Sequence, residues 1–412
     1  MRLGDETGMR WGGMLVTALL LMALMLPLMP IAVIESADYR DHIRDARLWA
    51  EAGMSLQAAN RPHFLFHALT ISAHTLLMDW NAAGSTVIIV MAGVTGAIVY
   101  ALLRPAIGTE SRLRGDALAV IGALALMLIG PVTILTWAER NLYLGYIPAH
   151  VYHNPTQNVL KPFALLFFVC ALRVYLSEQR DSPNIQAVGL STLFAIDLRQ
   201  RNMGFTALTF VIGLCATLAK PSFSICLLPA LGAVTLYRLY RRQPVNWLLL
   251  IFGVGAPVAL VLAWQYLFHR SGMGGFALDP FLVMDFLSPG TWHWKFIMSI
   301  MFPAAVTLAY WRQARSQLDL NVAWLAFGAS TVYLYFLNEP RDFTSANFWW
   351  SAQICIFVLM VISTVFFVRQ LRAQPRWTWQ AVVCALLLTL HVASGVLWYV
   401  VQYDAAGFYA WW

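Results

Sequence analysis

Charge is the scarcest property of this 412-residue chain: Asp, Glu, Lys and Arg together make up 11% of it. No polar stretch is long enough to fold as a separate soluble domain, and there is no internal repeat or low-complexity segment. A solenoid and a disordered tail are thereby excluded. Cysteine is also rare. Cys170, Cys215, Cys226, Cys355 and Cys384 all lie inside apolar runs, without the spacing of a metal site or a disulfide framework, and read as packing residues. A nucleotide loop is missing too: "SGMGGF", at 271–276, follows no predicted strand and lacks a phosphate-loop pattern. The net charge of +7 is scattered over short loops, so it marks topology rather than a nucleic-acid surface.

What the chain has in abundance is apolar surface, at 60% hydrophobic and 14% aromatic residues. A soluble domain cannot hide that much. Apolar runs of about 20 residues, the length that crosses a hydrocarbon core of roughly 30 Å, recur along the chain. They predict an all-α polytopic membrane protein forming one transmembrane domain. Eleven spans are expected, near 12–34, 84–103, 117–136, 158–176, 203–219, 222–239, 246–268, 294–311, 320–337, 347–368 and 379–402. The first resembles a signal peptide, but it is long for a cleaved one and is expected to remain as a span. Residues 61–78 are apolar but short, and His63, His67, Thr70 and His74 form one polar stripe at helical spacing. They predict a helix lying on the membrane surface. Leaving them out of the count puts the clusters Arg104, Arg112 and Arg114, then Arg238, Arg241 and Arg242, then Arg369, Arg372 and Arg376 on one side with Arg2 and Arg10. By the positive-inside rule that side is cytoplasmic, with the N-terminus in and the C-terminus out. Trp292, Trp294, Trp349, Trp350, Trp411 and Trp412, near span ends, are expected mostly in the interfacial belt.

The outer surface then receives 35–83, 137–157, the turn at Lys220, 269–293, 338–346 and the tail. Eight of the 9 histidines fall there, so chemistry is expected outside. Four stretches stand out. In "ESADYRDHIRDARLWAEAG", 35–53, a helix places Asp38, His42 and Asp45 on one face with Asp41 close by, and Arg40, Arg44 and Arg47 opposite. Clustered acids repel unless a cation faces them, although a solvated helix with local ion pairs fits the same spacing. In 138–163, Arg140, His150, Tyr152, His153, Asn154, Gln157 and Lys161 accompany three prolines; "YHNPT" is a turn before a helix, which Asn154 would also cap. His150 and His153 have metal-like spacing but no third ligand. In "ATLAKPSF", 216–223, Lys220 is a lone cation between apolar runs, either snorkelling or facing a polar cavity where it can meet a phosphate. "NEPRDF", 338–343, carries Glu339, Arg341 and Asp342, which also suit a surface ion pair.

In this order the features resemble the GT-C superfamily of integral membrane glycosyltransferases. The stretches that carry the likeness are "ADYRDHIRDARLWAEAG" with "RPHFLFHAL", then "YHNPTQNVLKPFALL", then "LAKPSFSICLLPAL". The resemblance implies a first extracytoplasmic loop with amphipathic juxtamembrane helices that opens on the catalytic acid. It implies an enzyme of the cell envelope, in a bacterial inner membrane, moving a sugar from a polyprenyl-phosphate donor to an extracytoplasmic acceptor with inversion. Asp38 would be the base, supported by Asp41 and His42. Lys220 with Arg140 or Arg341 would hold the phosphate, and His150, Tyr152, His153 and Asn154 would shape the sugar site. The second loop departs from the acid-bearing form of metal-dependent members, which leaves a divalent metal open and assigns no ligands to one. A polysaccharide polymerase or ligase, and a transporter or flippase for lipid-linked sugars, are the competing readings; the transporter should show broken helices near the bilayer midplane.

Overall fold

The structure is a computed structural model, and it describes residues 3–56, 62–108, 111–133, 143–175, 202–269, 275–340, 345–374 and 376–403. Within these residues the regular secondary structure is helical apart from one antiparallel pair of two-residue strands, β1 (Ala277–Leu278) and β2 (Leu337–Asn338). In chain order the helices are α1 (Leu3–Met25), α2 (Met29–Glu35), α3 (Ala37–Glu51), α4 (Leu65–Leu77), α5 (Trp80–Ile107), α6 (Arg112–Leu128), α7 (Pro155–Leu172), α8 (Asn202–Ala219), α9 (Ser224–Tyr240), α10 (Ala256–His269), α11 (Leu282–Leu287), α12 (Trp292–Ala309), α13 (Trp311–Ala314), α14 (Leu318–Phe336), α15 (Asn347–Ala373) and α16 (Trp379–Val401).

Five helical segments are long and apolar enough to cross a membrane: α5, α7 with its 3-10 extension to Tyr175, Leu249–Phe268, α15 and α16. A sixth is added if Trp11–Met25 and α2, bent by 45° at the break between them, form one span. The fold is thus that of a helical membrane protein. All eleven segments expected to span contain helix, but length and composition support five or six as spans among the described residues.

Local chemistry sets the helix ends. Asp79 accepts the Ala82 amide to start α5, and Ser111, Asn154 and Thr378 cap α6, α7 and α16 in the same way. α15 lies at the centre, with 94% of its apolar window buried, and packs on α14, α5, α12 and α7.

One expectation needs correction. The segment 117–136 is not one continuous span: α6 ends at Leu128, and 129–133 is not helical. Pro131 disfavours helix at Gly130 and has no N–H to continue one. Non-helical backbone in a membrane protein must find partners within the protein, and here it does. Gly130 N–H donates to the His391 carbonyl at 3.0 Å and Val132 N–H to the Met298 carbonyl at 3.1 Å. His391, fully buried in α16, bridges the Gly130 carbonyl at 2.6 Å and the Phe302 amide at 3.3 Å. Gly395 lets α16 approach; a Cβ there would overlap the Leu128 carbonyl oxygen.

Residues 61–78 hold a short helix. The helix there, α4, has 13 residues and is too short to cross. Its polar stripe, however, turns inward: His67 and Thr70 are buried, while Leu76 and Met78 are more than four-fifths exposed. Phe66 and Ile71 are buried beside His67 and Thr70, so the face of α4 packed on the protein is mixed.

Candidate active site

The end of the bundle that carries α3 and α4 gathers the chemistry. α3 divides as its spacing predicts: Arg40, Arg44 and Arg47 are exposed, whereas His42 and Asp45 are buried and Asp38 is half-buried. Gln265 of α10 donates to the Pro62 carbonyl at 2.7 Å, and Phe64 meets Trp264 edge to face, so the segment before α4 is docked on the helix bundle.

Two hydrogen bonds tie the start of α3 to the loop before α7. The Ser36 hydroxyl donates to the His153 carbonyl, and the Asn154 amide donates to one Asp38 carboxylate oxygen, both at 3.0 Å. The orientation of Asn154 is determined by its other bonds. Its oxygen accepts the Gln157 amide and the Thr156 hydroxyl, each at 2.9 Å, so its nitrogen must face Asp38. One residue thus caps α7 and holds a carboxylate. Gln157 reaches on to the Trp350 carbonyl at 3.0 Å, tying in the first turn of α15.

Lys220 arrives from the break between α8 and α9. It is buried, and its ammonium lies 4.3 Å from the centre of the Trp350 ring. A desolvated cation on an indole face gains about 2 kcal/mol or more. His153 stands between the two charges, with its ring packed edge-on to Trp350 and Tyr143. Burial pushes the pKa of His153 from 6.5 down to about 4; the Asp38 carboxylate opposes the shift and the Lys220 ammonium adds to it. The structure therefore brings together Asp38, His153, Asn154 and Lys220 around Trp350. A carboxylate that can take a proton and a buried cation share one neighbourhood at the end of the apolar bundle.

The remaining predicted residues lie elsewhere. Asp41 is half-exposed and pairs with Arg44 of its own helix at 3.1 Å. His42 faces α4, its Nδ1 3.0 Å from Nε2 of His67. Tyr152 is buried against Tyr399 of α16. His150 points away from His153: Lys161 donates to its Nδ1 at 2.9 Å, so Nε2 carries the proton and donates to the Leu126 carbonyl at 2.8 Å. With both ring nitrogens of His150 occupied, His150 and His153 do not form a metal pair. No group of three His, Cys, Asp or Glu residues suited to a metal occurs among the described residues, and the donor set here does not fit a resident divalent ion. Arg140 and Arg341 lie outside the described residues.

Sequence reasoning missed the parts played by Trp349, Trp350 and Lys295. Trp349 and Trp350, expected in the interfacial belt, are 4% and 9% exposed, because the first turn of α15 is packed inside the bundle. Lys161 and Lys295 are buried as well. Lys295 donates to the Leu144 carbonyl at 3.1 Å and to Ser288 at 2.7 Å, anchoring the loop that leads to His153. A signal existed: the chain has only three lysines, Lys161, Lys220 and Lys295, and all three are buried.

The neutral histidines make stability depend on pH. The folded His153 binds a proton only near pH 4, while the unfolded residue does so near 6.5. Its contribution is therefore complete above about pH 6.5 and is lost as pH falls towards 4, amounting to about 2 kcal/mol by pH 5. His150 acts in the same direction, lowered by burial and by Lys161 against its bond to Leu126. The melting temperature in detergent is expected to fall between pH 7.5 and pH 5, and less so in His153→Asn. Equal pH dependence in the two proteins would contradict a buried neutral His153. Comparison with protein families, characterised proteins and solved structures finds no match.

Proposed function

We propose that the protein is a membrane glycosyltransferase of GT-C type, moving a sugar from a polyprenyl-phosphate donor to an acceptor on the extracytoplasmic side with inversion. The observation that carries this reading is the bond from Asn154 to Asp38 at 3.0 Å beside the buried Lys220 on Trp350. The acceptor oxygen attacks the anomeric carbon, and the bond from that carbon to the phosphate oxygen breaks. Asp38 takes the hydroxyl proton, and Lys220 stabilises the charge gathering on the leaving phosphate. His153 and Asn154 line the space between. The carrier lipid stays among the apolar helices, and the acceptor comes from water or from another lipid. Transfer from synthetic polyprenyl-phosphate sugars to a water-soluble acceptor by the purified protein is the test; inactivity across the common hexosyl and pentosyl donors would remove the reading.

The non-helical stretch 129–133 is the feature that would favour a transporter. The amides of Gly130, Val132 and Thr133 and the carbonyl of Gly130 bond to α12 and α16, and His391 is wholly buried, which speaks against an open midplane site there. Within the proposal the chain crosses eleven times, with its N-terminus cytoplasmic and its C-terminus outside. A reporter fused after Trp412 should be extracytoplasmic and one inserted near Arg242 cytoplasmic. The same side for both would overturn that topology.

A further inference from the structure

Beside the first turn of α15 lies a small open recess between β2 and the helix, with room for about one water-sized group. Leu334, Phe348 and Trp349 supply apolar walls, and Asn338, Glu339 and Asn347 supply polar ones. Asn338 is held at the end of β2 by its pairing with Ala277. It is 3% exposed, and its side-chain nitrogen has no hydrogen-bond partner among the described residues. Buried amides are almost always paired, so an orphan lining a recess points to a missing partner. Whichever way the amide is turned, one polar atom is left over. At the rim, Glu339 accepts the Asn347 amide through one oxygen, at 2.8 Å, and presents a carboxylate beside the aromatic wall.

These features select a ligand chemistry. Glu339 disfavours an anion, and an aliphatic chain would leave Asn338 unpaired. The recess has room for one water-sized group, which suits a single hydroxyl, both donor and acceptor, of a ligand lying over its mouth. The C–H face of a sugar ring would cover the half-buried Phe348. The recess and the site already described both lie at the first turn of α15, where Trp349 lines the one and Trp350 the other.

We propose that this recess, with Asn338 and Glu339 as its polar contacts, is a subsite for a neutral sugar residue of the acceptor. The assignment rests on the glycosyl-transfer reading for the term acceptor, but binding itself is testable without transfer.

The full chain would be placed in nanodiscs and screened by saturation-transfer NMR with methyl glycosides of neutral hexoses, N-acetylhexosamines and pentoses. At least one glycoside is expected to bind, and Asn338→Leu and Glu339→Gln to weaken it about tenfold, the effect of losing one buried hydrogen bond. Arg47→Ala, on the exposed face of α3, should leave that binding unchanged. If Asn338→Leu does not fold, Glu339→Gln and Asn347→Ala, at the rim, carry the comparison. Absence of binding across the panel, or binding that these substitutions do not alter, overturns the subsite and leaves a recess filled by water. Asn338-dependent glycoside binding without any transfer from polyprenyl-phosphate sugars would keep the subsite and reject the transferase.

Discussion

Asp38→Asn is expected to reduce sugar transfer by about 10²–10⁴-fold, the usual cost of removing a general base, while the protein still folds and inserts. The substitution is well matched in shape. Asn154 donates its amide to Asp38 at 3.0 Å, and its orientation is fixed independently by Gln157 and Thr156. An asparagine at 38 can still accept that bond through its side-chain oxygen, so the link between α3 and the loop before α7 survives. What disappears is the capacity to take a proton. Ser36 keeps a second tie to the same loop through the His153 carbonyl, which further protects the fold. Two neighbours on α3 serve as comparisons. Asp41 is half-exposed and paired with Arg44, an arrangement worth at most about 1 kcal/mol at a surface, so Asp41→Asn should keep near wild-type transfer. Asp45 is buried on the face that meets α4, so Asp45→Asn should lower the melting temperature more than the rate per folded molecule. Transfer from a synthetic polyprenyl-phosphate sugar would be measured alongside detergent melting for all three. Near wild-type transfer by Asp38→Asn would show the base assignment to be wrong.

Much of this site was legible because it depends on local patterns. Helical spacing placed Asp38, His42 and Asp45 on one face of α3, and the prolines at 155 and 221 marked the breaks beside which Asn154 and Lys220 lie. What sequence could not supply was which helix goes where. α15 and α16 have nearly the same mean hydropathy, 2.4 and 2.1, yet 94% of one apolar window is buried and 28% of the other. A core helix and a lipid-facing helix obey the same apolar requirement, so hydropathy cannot separate them. That is why Trp349 and Trp350 resembled belt residues. The pairing of His150 with Lys161 was hidden for another reason. His-x-x-His spacing records proximity along the chain, whereas the turn before α7 points the two rings apart. The end of α6 was readable in principle from Gly130-Pro131, but the run of apolar residues around it outweighed the break.

Lys220→Met should weaken use of the polyprenyl-phosphate donor by roughly ten- to over a hundredfold, since a charge-assisted contact to phosphate is worth about 1.5–3 kcal/mol. Methionine preserves the length and apolar packing of the side chain against Trp350, so the effect of charge is separated from the effect of a cavity. Lys220→Arg is not expected to restore function fully. A planar guanidinium is larger than an ammonium point charge, and here it would have to fit into a buried turn between α8 and α9. The substitution carries an internal check. The Lys220 charge helps hold down the pKa of His153, so removing it should move the His153 titration upward, even without substrate. Donor binding would be followed with a short synthetic polyprenyl phosphate and transfer with the corresponding sugar donor. A cation that only stabilises the turn would lower the melting temperature and leave the donor KM unchanged in the folded fraction. A cation that receives the phosphate would raise the KM, lower kcat/KM and weaken binding of the sugar-free phosphate by a similar factor. Normal donor binding and turnover in a folded Lys220→Met protein, with the His153 titration shifted as expected, would place the lysine beside His153 but remove it from the phosphate site.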